Sequence, residues 1–238
     1  MAERMRLHKF LAKAGIGGRL QCEGLIADGH VTVGGQVVRE MGHLVDPERD
    51  DVRFEDRRLK LEPKVTFAFN KPAGVVCTTS PDVRRPKVVD YFRDVPFRLY
   101  TAGRLEEDSE GLVLVTNDGD LAERVTHPRY QIAKTYIVKV RGRVERETVQ
   151  AIRQGVWMAE GKTSPAHIRP HKIGREVSQL EITLFEGRNH EIQRLFARFG
   201  HQLIGLKRIR IGHLRLQQLP RGAFRRLDER DVEQLVAT

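Results

Sequence analysis

Cysteine is scarce in this sequence. Cys22 and Cys77 are the only two cysteines among 238 residues, and they do not form a CxxC pair. Two thiols without that spacing exclude a cysteine-based metal cluster. Both stand among apolar residues, so they are predicted to be buried, because a free cysteine behaves as a small hydrophobic side chain.

Long apolar runs are also missing. No stretch approaches the roughly 18 apolar residues that a membrane-spanning helix needs, and residues 1–13 carry charges throughout. The sequence therefore predicts no membrane partner and no secretory signal, and it favours a soluble cytoplasmic protein. It shows neither a coiled-coil pattern nor an obvious self-complementary stripe, so a monomer is expected.

Acidic residues are nearly absent from one segment. Residues 188–226 contain ten lysines and arginines and a single acid, Glu191, whereas residues 1–62 contain eleven charges of each sign. The whole chain has a formal net charge of +10, so almost all of the excess lies in that C-terminal segment. Such a concentration favours a polyanionic partner, nucleic acid before membrane. The alternative is a solvated charged face.

Residues 1–62 are predicted to form a small domain. Apolar residues at helical spacing predict one helix ending near Gly15 and a second ending near Gly29. The valines that follow predict a short hairpin around Gly34-Gly35. The charged segment from Asp46 ends in the predicted linker, so the second domain is expected at residues 63–238.

Residues 63–238 alternate strand-like runs with short helices. "GLVLVTNDG", "AKTYIVKVRGRV" and "SQLEITLFEG" are predicted strands, and "HEIQRLFARFG" is a predicted amphipathic helix. "KVTFAFNKPAGVVCTT" is predicted as two strands bent at residues 71–74. Because strands outnumber helices and the connections are short, we expect an α+β fold with a mainly antiparallel mixed sheet flanked by helices.

The N-terminal segment resembles the S4-type RNA-binding domain through "RLHKFLAKAG", the pattern from Arg19 to Gly29, and "HVTVGG". The resemblance implies a module of helices and a hairpin that lays its second helix on structured RNA. Its basic side chains would contact phosphates, which give affinity and position rather than sequence reading. Those side chains are Arg6, Lys9, Lys13 and Arg19, with His30 beside them.

This segment departs from the family pattern at one place. The family usually has Ser-Arg-Arg where this chain has Gly18-Arg19-Leu20. The change removes a helix N-cap hydroxyl and one cation that could contact a phosphate. A small neutral packing domain is the alternative interpretation.

The larger segment resembles ribosomal RNA pseudouridine synthases of the RsuA type. Five motifs stand in the order found in that family: "FNKPAGVVCTT", "GRLEEDSEGLVLVTNDGDL", "HP" before "KTYIVKV", "FEGRNHEIQRLF" and "LKRIRIGHLRL". The resemblance implies an isomerase that converts uridine to pseudouridine in ribosomal RNA without cofactor or metal. The target nucleotide must leave its stack, so a pocket for a flipped base and a basic surface for RNA are expected.

The resemblance places the catalytic carboxylate at Glu106. The family has Gly-Arg-Leu-Asp where this chain has Gly103-Arg104-Leu105-Glu106, and an arginine at the position of Gln193 that pairs with the acid. Asp108 and Glu110 are expected to bind the loop backbone or solvent, and Asp118 is expected in the turn after the strand.

The remaining site residues follow from the same motifs. Tyr136 matches the active-site tyrosine, which stacks on the base and can carry a proton. Pocket and catalytic-loop support is implied for Arg104, Leu105, Asn70, Lys71, Gln193 and Leu206. RNA contacts in this segment are implied for Arg188, Arg194, Lys207, Arg208 and Arg210.

Three functional hypotheses follow from these residues. In the first, Glu106 is a working carboxylate in a pseudouridine synthase. In the second, the exchange of the acid and of its arginine partner leaves an inactive relative that binds ribosomal RNA or assists ribosome assembly. In the third, the acidic loop binds a hard cation, but its spacing does not match the 12-residue calcium loop.

Overall fold

The computed structural model describes residues 4–159, 161–185 and 190–236. The chain divides into two compact units. The first comprises Met1–Lys64 with Val95–Arg98, and the second comprises Val65–Asp94 with Leu99–Thr238. The expected boundary after residue 62 is therefore close to the observed one, but the return of a short segment to the first unit was not predicted.

The first unit contains two short helices and small strands, as expected from its sequence. They are β1 (Met5–Arg6), α1 (Leu7–Lys13), α2 (Arg19–Ala27), β2 (Val31–Val33), β3 (Gln36–Val37), β4 (Leu44–Val45), β5 (Val52–Phe54) and β6 (Arg57–Arg58). The predicted hairpin around Gly34-Gly35 is confirmed by the antiparallel pairing of β2 with β3. Gly18 is the N-cap of α2, and no side chain caps that helix. Cys22 is fully buried in the core of this unit.

The second unit holds the remaining elements. The strands are β7 (Thr66–Lys71), β8 (Tyr100–Ala102), β9 (Glu110–Thr116), β10 (Lys134–Arg141), β11 (Trp157–Met158), β12 (Gly161–Lys162), β13 (His167–Ile173), β14 (Val177–Leu184), β15 (Leu203–Ile211), β16 (Leu214–Arg215) and β17 (Phe224–Arg226). The helices are α3 (Gly119–Thr126), α4 (Arg146–Gln154), α5 (Glu191–Arg198) and α6 (Glu229–Val236), with 3-10 turns at Val88–Phe92 and Pro128–Tyr130. The described helices have nine residues or fewer, and none of them could cross a membrane.

One large mixed sheet organises this unit. Its strand order is β13-β14-β10-β15-β9-β7-β17, with β16 on β15 and β8 on β9. Among these pairs only β15 with β9 is parallel, which confirms the mainly antiparallel prediction. The side chains of residues 112–115 on β9 are fully buried, so this strand is covered on both faces. The acidic stretch before it is the loop that leads into the centre of the sheet.

The predicted second strand after residues 71–74 is absent. Val76 makes an isolated bridge to Lys87 instead of a ladder. The Lys71 ammonium donates hydrogen bonds to the carbonyls of Pro72 and Val75, at 2.9 and 2.7 Å. Because these carbonyls turn toward the lysine, the backbone after β7 cannot present them to a neighbouring strand.

The parallel pairing of β9 with β15 requires a glycine at position 111. Gly111 has a φ of +105°, and a Cβ placed there would lie 2.2 Å from the carbonyl oxygen of Arg208. We expect Gly111→Ala to lower the free energy of unfolding by about 3 kcal/mol or more, because both the backbone strain and the clash oppose it. Urea denaturation measures this change.

The matched control is Gly205→Ala on β15. A Cβ at Gly205 meets only ordinary contacts with Lys139, the nearest atom at 3.6 Å. Its stability is expected to stay within about 1 kcal/mol of the wild type. Equal effects of the two substitutions would contradict the role assigned to Gly111.

Candidate active site

A cavity of about 640 Å³ opens in the second unit beside the acidic loop. Its walls come from that loop, from β10 and β15, from the start of α5, and from the segment after β7. Five residues expected at the site line it: Arg104, Leu105, Glu106, Tyr136 and Leu206. The volume lies within the range of roughly 300–1,000 Å³ that small-molecule sites occupy.

The loop between β8 and β9 is held by backbone contacts. The Leu105 amide donates to Cys77 Sγ at 3.4 Å, and the Ser109 amide donates to the carbonyl of Glu106 at 3.1 Å. The Glu107 carbonyl accepts from the Gly74 amide at 2.9 Å. These bonds fix the turn that carries Glu106. Cys77 is buried, as predicted.

The structure assigns different tasks to the acids of this stretch. Glu107 forms an ion pair with Arg85. Glu110 forms another with Arg221, in which Oε2 lies 3.0 Å from Nη2 of the arginine. Asp118 is the N-cap of α3, where its carboxylate accepts hydrogen bonds from two backbone amides. Carboxylates at a helix N-terminus satisfy free amides and favour the helix dipole. The acids beside the apolar strand therefore mainly fix the loop and start the next helix.

Glu106 differs from its neighbours. Its side chain is one-third exposed, and its Oε1 lies 2.8 Å from Nδ1 of His190. His190 has left-handed backbone angles and is the N-cap of α5. The imidazole N–H can donate to the carboxylate and orient it toward the cavity. Sequence reasoning missed His190, although it stands in the "RNHEIQ" motif, because nothing in the spacing indicates this pairing.

The geometry does not place Gln193 opposite Glu106. Gln193 is exposed on α5, whose buried face holds Glu191, Ile192, Leu195 and Phe196. Successive helix residues are about 100° apart, so a helix that buries 191 and 192 turns 193 away. The expectation that Gln193 supports the pocket is therefore not met: its side chain does not line the cavity. Arg194, the next residue, is half-buried, so it is not a freely exposed RNA contact either.

Tyr136 and Leu206 occupy the part of the sheet that the motifs implied. Tyr136 is 8% exposed on β10, and Leu206 is half-buried on the adjacent β15. Both line the cavity. A tyrosine ring and a leucine beside a carboxylate provide an apolar surface against which a flat base can pack.

Three buried charges also line the cavity. Lys134, Glu191 and Arg208 are 9%, 5% and 2% exposed. Burial, aided by Arg208 and opposed by Glu191, lowers the pKa of Lys134 to about 8. Arg208 donates through Nε to the Leu112 carbonyl at 2.7 Å, and its Nη2 is buried without a hydrogen-bond partner among the described residues. This cluster presents two cations and one anion to whatever fills the cavity.

Comparison with known proteins assigns the two units. A family model described as RNA pseudouridylate synthase matches residues 65–198, more than half of the chain, and an S4 domain model matches residues 5–51. The chain belongs to the RNA pseudouridylate synthase family. The resemblance read from the motifs is thereby confirmed at the level of the family.

Full-length relatives agree with this assignment. An uncharacterized RNA pseudouridine synthase from Aquifex aeolicus (strain VF5) is 38% identical over 97% of this chain and 93% of its own length. Ribosomal large subunit pseudouridine synthase B from Bacillus subtilis (strain 168) is 38% identical over 98% of this chain and 96% of its own. A crystal structure of a pseudouridylate synthase superposes with a TM-score of 0.70 at 32% identity, covering 97% and 99% of the two chains.

The basic residues expected to bind RNA differ in accessibility within this synthase. In the S4 domain, Arg6, Lys9 and Arg19 are exposed, and Lys13 is half-buried. Arg19 lies 2.8 Å from Glu23 in an exposed ion pair. These positions remain predicted phosphate contacts.

The basic C-terminal segment is not a uniform RNA surface. Arg208 is buried and lines the cavity, so it does not belong to an exposed RNA surface, and its predicted RNA contact is confined to a nucleotide inside the cavity. Lys207 on the same strand is exposed, and Arg210 donates through Nε to the Thr135 hydroxyl at 3.2 Å. Arg225 is paired with Asp231, so several of these charges serve the fold. Arg188 lies outside the described residues.

Asn70 and Lys71 lie on strand β7 rather than in a loop at the pocket. Asn70 donates through Nδ2 to the Leu219 carbonyl at 2.8 Å, so it fixes the C-terminal segment and not the cavity. Lys71 is fully buried and donates to the carbonyl of Glu107 at 3.1 Å, next to Glu106, as well as to Pro72 and Val75. Burial lowers the pKa of Lys71.

We expect Lys71→Met to lower the free energy of unfolding by about 3 kcal/mol or more. Methionine fills the space but leaves the Pro72 and Val75 carbonyls without their donor, whereas the Glu107 carbonyl keeps the Gly74 amide. Each unsatisfied buried polar group costs about 1–3 kcal/mol. Urea denaturation measures the loss. Lys172→Met, at an exposed position of β13, is the control and is expected to have little effect. Equal stability of the two variants would contradict the anchoring role of Lys71.

Proposed function

We propose that this synthase converts uridine to pseudouridine in the RNA of the large ribosomal subunit. The observation that carries the proposal is the position of Glu106: its carboxylate lies in the cavity wall with Tyr136 and is oriented by His190. No arginine pairs with it among the described residues. The substrate is proposed from the relative in Bacillus subtilis, whose name specifies the large subunit.

The reaction requires no added atoms. The bond between uracil N1 and ribose C1′ breaks, the uracil turns, and a bond between C5 and C1′ forms, while C5 loses a proton and N1 gains one. Glu106 acts as the nucleophile toward the ribose or base, or as the general base. The uridine enters the cavity out of its stack, as any enzyme that reacts at a base of structured RNA requires. Tyr136 packs against the uracil and holds it near Glu106.

The buried cations suit the charge that develops. When the glycosidic electron pair moves to the uracil, negative charge spreads to its two carbonyl oxygens. Lys134 and the free Nη2 of Arg208 are positive groups fixed in advance at the cavity wall. Fixed charges in a water-poor site stabilise such a change more than solvent does. The chain is proposed to need neither metal nor cofactor and to act as a cytoplasmic monomer.

The test is a map of pseudouridines in ribosomal RNA from a strain that lacks the protein. The proposal expects one or more large-subunit sites to be lost, restored by the wild-type gene, and not restored by Glu106→Gln. An unchanged map together with tight RNA binding would support the inactive RNA-binding relative instead. Loss of a small-subunit site would correct the proposed substrate.

A further inference from the structure

A second cavity of about 560 Å³ lies in the same unit and is lined by residues 83–87 with Asp90, Tyr91 and Arg93. We call these lining residues the basic groove. Val83 and Arg85 also line the active-site cavity, so the two spaces share a wall. Arg85 pairs with Glu107, the neighbour of Glu106, which ties the groove to the catalytic loop. A chain leaving the active site along this wall would pass into the groove.

The groove has an excess of positive charge. Four cations face one acid, Asp90, whose carboxylate accepts a hydrogen bond from the Lys87 amide at 2.8 Å. The Arg93 side chain is exposed, and its Nη2 lies 3.8 Å from Oδ1 of Asp90. An exposed ion pair at this distance contributes little to stability. Arg84 is exposed and makes no hydrogen bond or ion pair to a described residue. Arg84 and Arg93 are therefore available to an anionic ligand.

An aromatic ring stands among these cations. Tyr91 is 38% exposed, and its ring packs on Phe69 with a centroid separation of 4.9 Å. The contact with Phe69 fixes the ring, while the exposed part remains available to a ligand. Arginines around a fixed, partly exposed tyrosine are the combination by which proteins hold single-stranded nucleic acid, with the base stacked and the backbone neutralised.

We infer that the basic groove binds the single-stranded RNA adjoining the target uridine, with Tyr91 stacked on a base and Arg84 and Arg93 on phosphates. The inference rests on the proposed function, since it takes the strand to continue from a uridine in the active-site cavity. None of its residues is among those that the sequence motifs implied as RNA contacts. The groove would thereby hold the neighbouring nucleotide while the uridine is flipped.

The test measures the affinity of the full-length protein for a ten-nucleotide oligouridylate at several salt concentrations. Each phosphate contact to a single strand contributes about 0.7 to the slope of log affinity against log salt. Arg84→Ala and Arg93→Ala are expected to reduce the slope by about 0.7 each and the affinity about fivefold near 0.1 M salt. Arg175→Ala, at an exposed arginine in the turn between β13 and β14, is the matched control.

The tyrosine is tested by variants that separate stacking from packing. Tyr91→Leu keeps an apolar contact with Phe69 but has no aromatic face, so it is expected to bind about tenfold more weakly with an unchanged salt slope. Tyr91→Phe retains the ring and is expected to bind like the wild type. Denaturation of each variant checks that the fold is intact.

Binding by the Arg84, Arg93 and Tyr91→Leu variants equal to that of Arg175→Ala would overturn the inference. Pseudouridine formation by the wild type is measured separately on ribosomal RNA. If the wild type forms pseudouridine but the groove variants bind RNA as tightly as the control, the groove is not an RNA-binding site and the proposed function stands. If the wild type forms no pseudouridine but the variants lose RNA affinity as expected, the proposed function is wrong and the groove is supported as an RNA-binding surface.

Discussion

Replacing Glu106 with glutamine is expected to reduce pseudouridine formation on the order of 10⁴-fold while RNA binding persists. Glutamine has the shape of glutamate and can still accept a hydrogen bond from His190, but it is neither a nucleophile nor a base. Removal of a catalytic base or nucleophile typically costs a factor of 10² to 10⁴ or more. Single-turnover assays on unmodified ribosomal RNA, with affinity measured in parallel, check both expectations.

Two further variants identify which property of Glu106 matters. Glu106→Asp keeps the carboxylate but withdraws it by one methylene, so reduced rather than abolished activity is expected, since a misplacement of about 1 Å can cost roughly 100-fold. Glu110→Gln, whose side chain pairs with Arg221 and does not line the cavity, is the matched control from the same stretch. A Glu106→Gln variant as active as Glu110→Gln would contradict a catalytic role for this carboxylate.

Lys134→Met is expected to lose stability relative to the wild type as the pH rises from neutral. The pKa of Lys134 is lowered to about 8 in the folded chain, whereas an unfolded lysine titrates near 10.4. Between these values the unfolded chain binds more protons than the folded one, so the stability of the wild type rises with pH. Methionine has no charge to bury, and the variant lacks this rise.

The size of the effect follows from the linkage. Between pH 7 and pH 9.5 the free energy of unfolding of the wild type should rise by about 2 kcal/mol relative to that of the variant. The reason is that one pH unit corresponds to about 1.36 kcal/mol for each proton by which the folded and unfolded chains differ. Chemical denaturation at the two pH values measures the difference. Lys139→Met, at an exposed position of the same strand, is the control and should show no such change. A pH-independent difference between wild type and Lys134→Met would contradict the burial of a charged lysine.

The same variant relates stability to function. Arg208 and Glu191 are the charged groups that act on Lys134 from β15 and α5, and both line the cavity with it. If the lysine is kept for the reaction, Lys134→Met should form pseudouridine more slowly than Lys139→Met.

The sequence could predict most of the architecture because its signals there are local. The hairpin around Gly34-Gly35, the buried cysteines and the mainly antiparallel sheet follow from spacing and composition, and the structure has them. The motif residues Glu106, Tyr136 and Leu206 lie together in one cavity, as the resemblance implied. These predictions depend on residue order within single elements.

The errors concern residues whose role depends on packing between elements. Gln193 is exposed because α5 buries Glu191 and Ile192 and so turns the next residue outward. A single motif does not indicate how a helix is rotated about its axis. Arg208 was counted with a basic surface because charge was summed along the chain, whereas β15 carries it into the interior. Lys134 had a usable signal: it shares the strand face of Tyr136, two residues along β10. His190 had none, because its partner Glu106 is on a different element.

The most direct test is single-turnover conversion of unmodified large-subunit ribosomal RNA by the purified wild-type protein in the presence of a chelator. Glu106 as a working carboxylate predicts one pseudouridine formed per RNA at a defined site, with no added metal or cofactor. Tight binding of the RNA by wild type with no pseudouridine formed at any site would contradict this account and identify the protein as a non-catalytic RNA-binding relative.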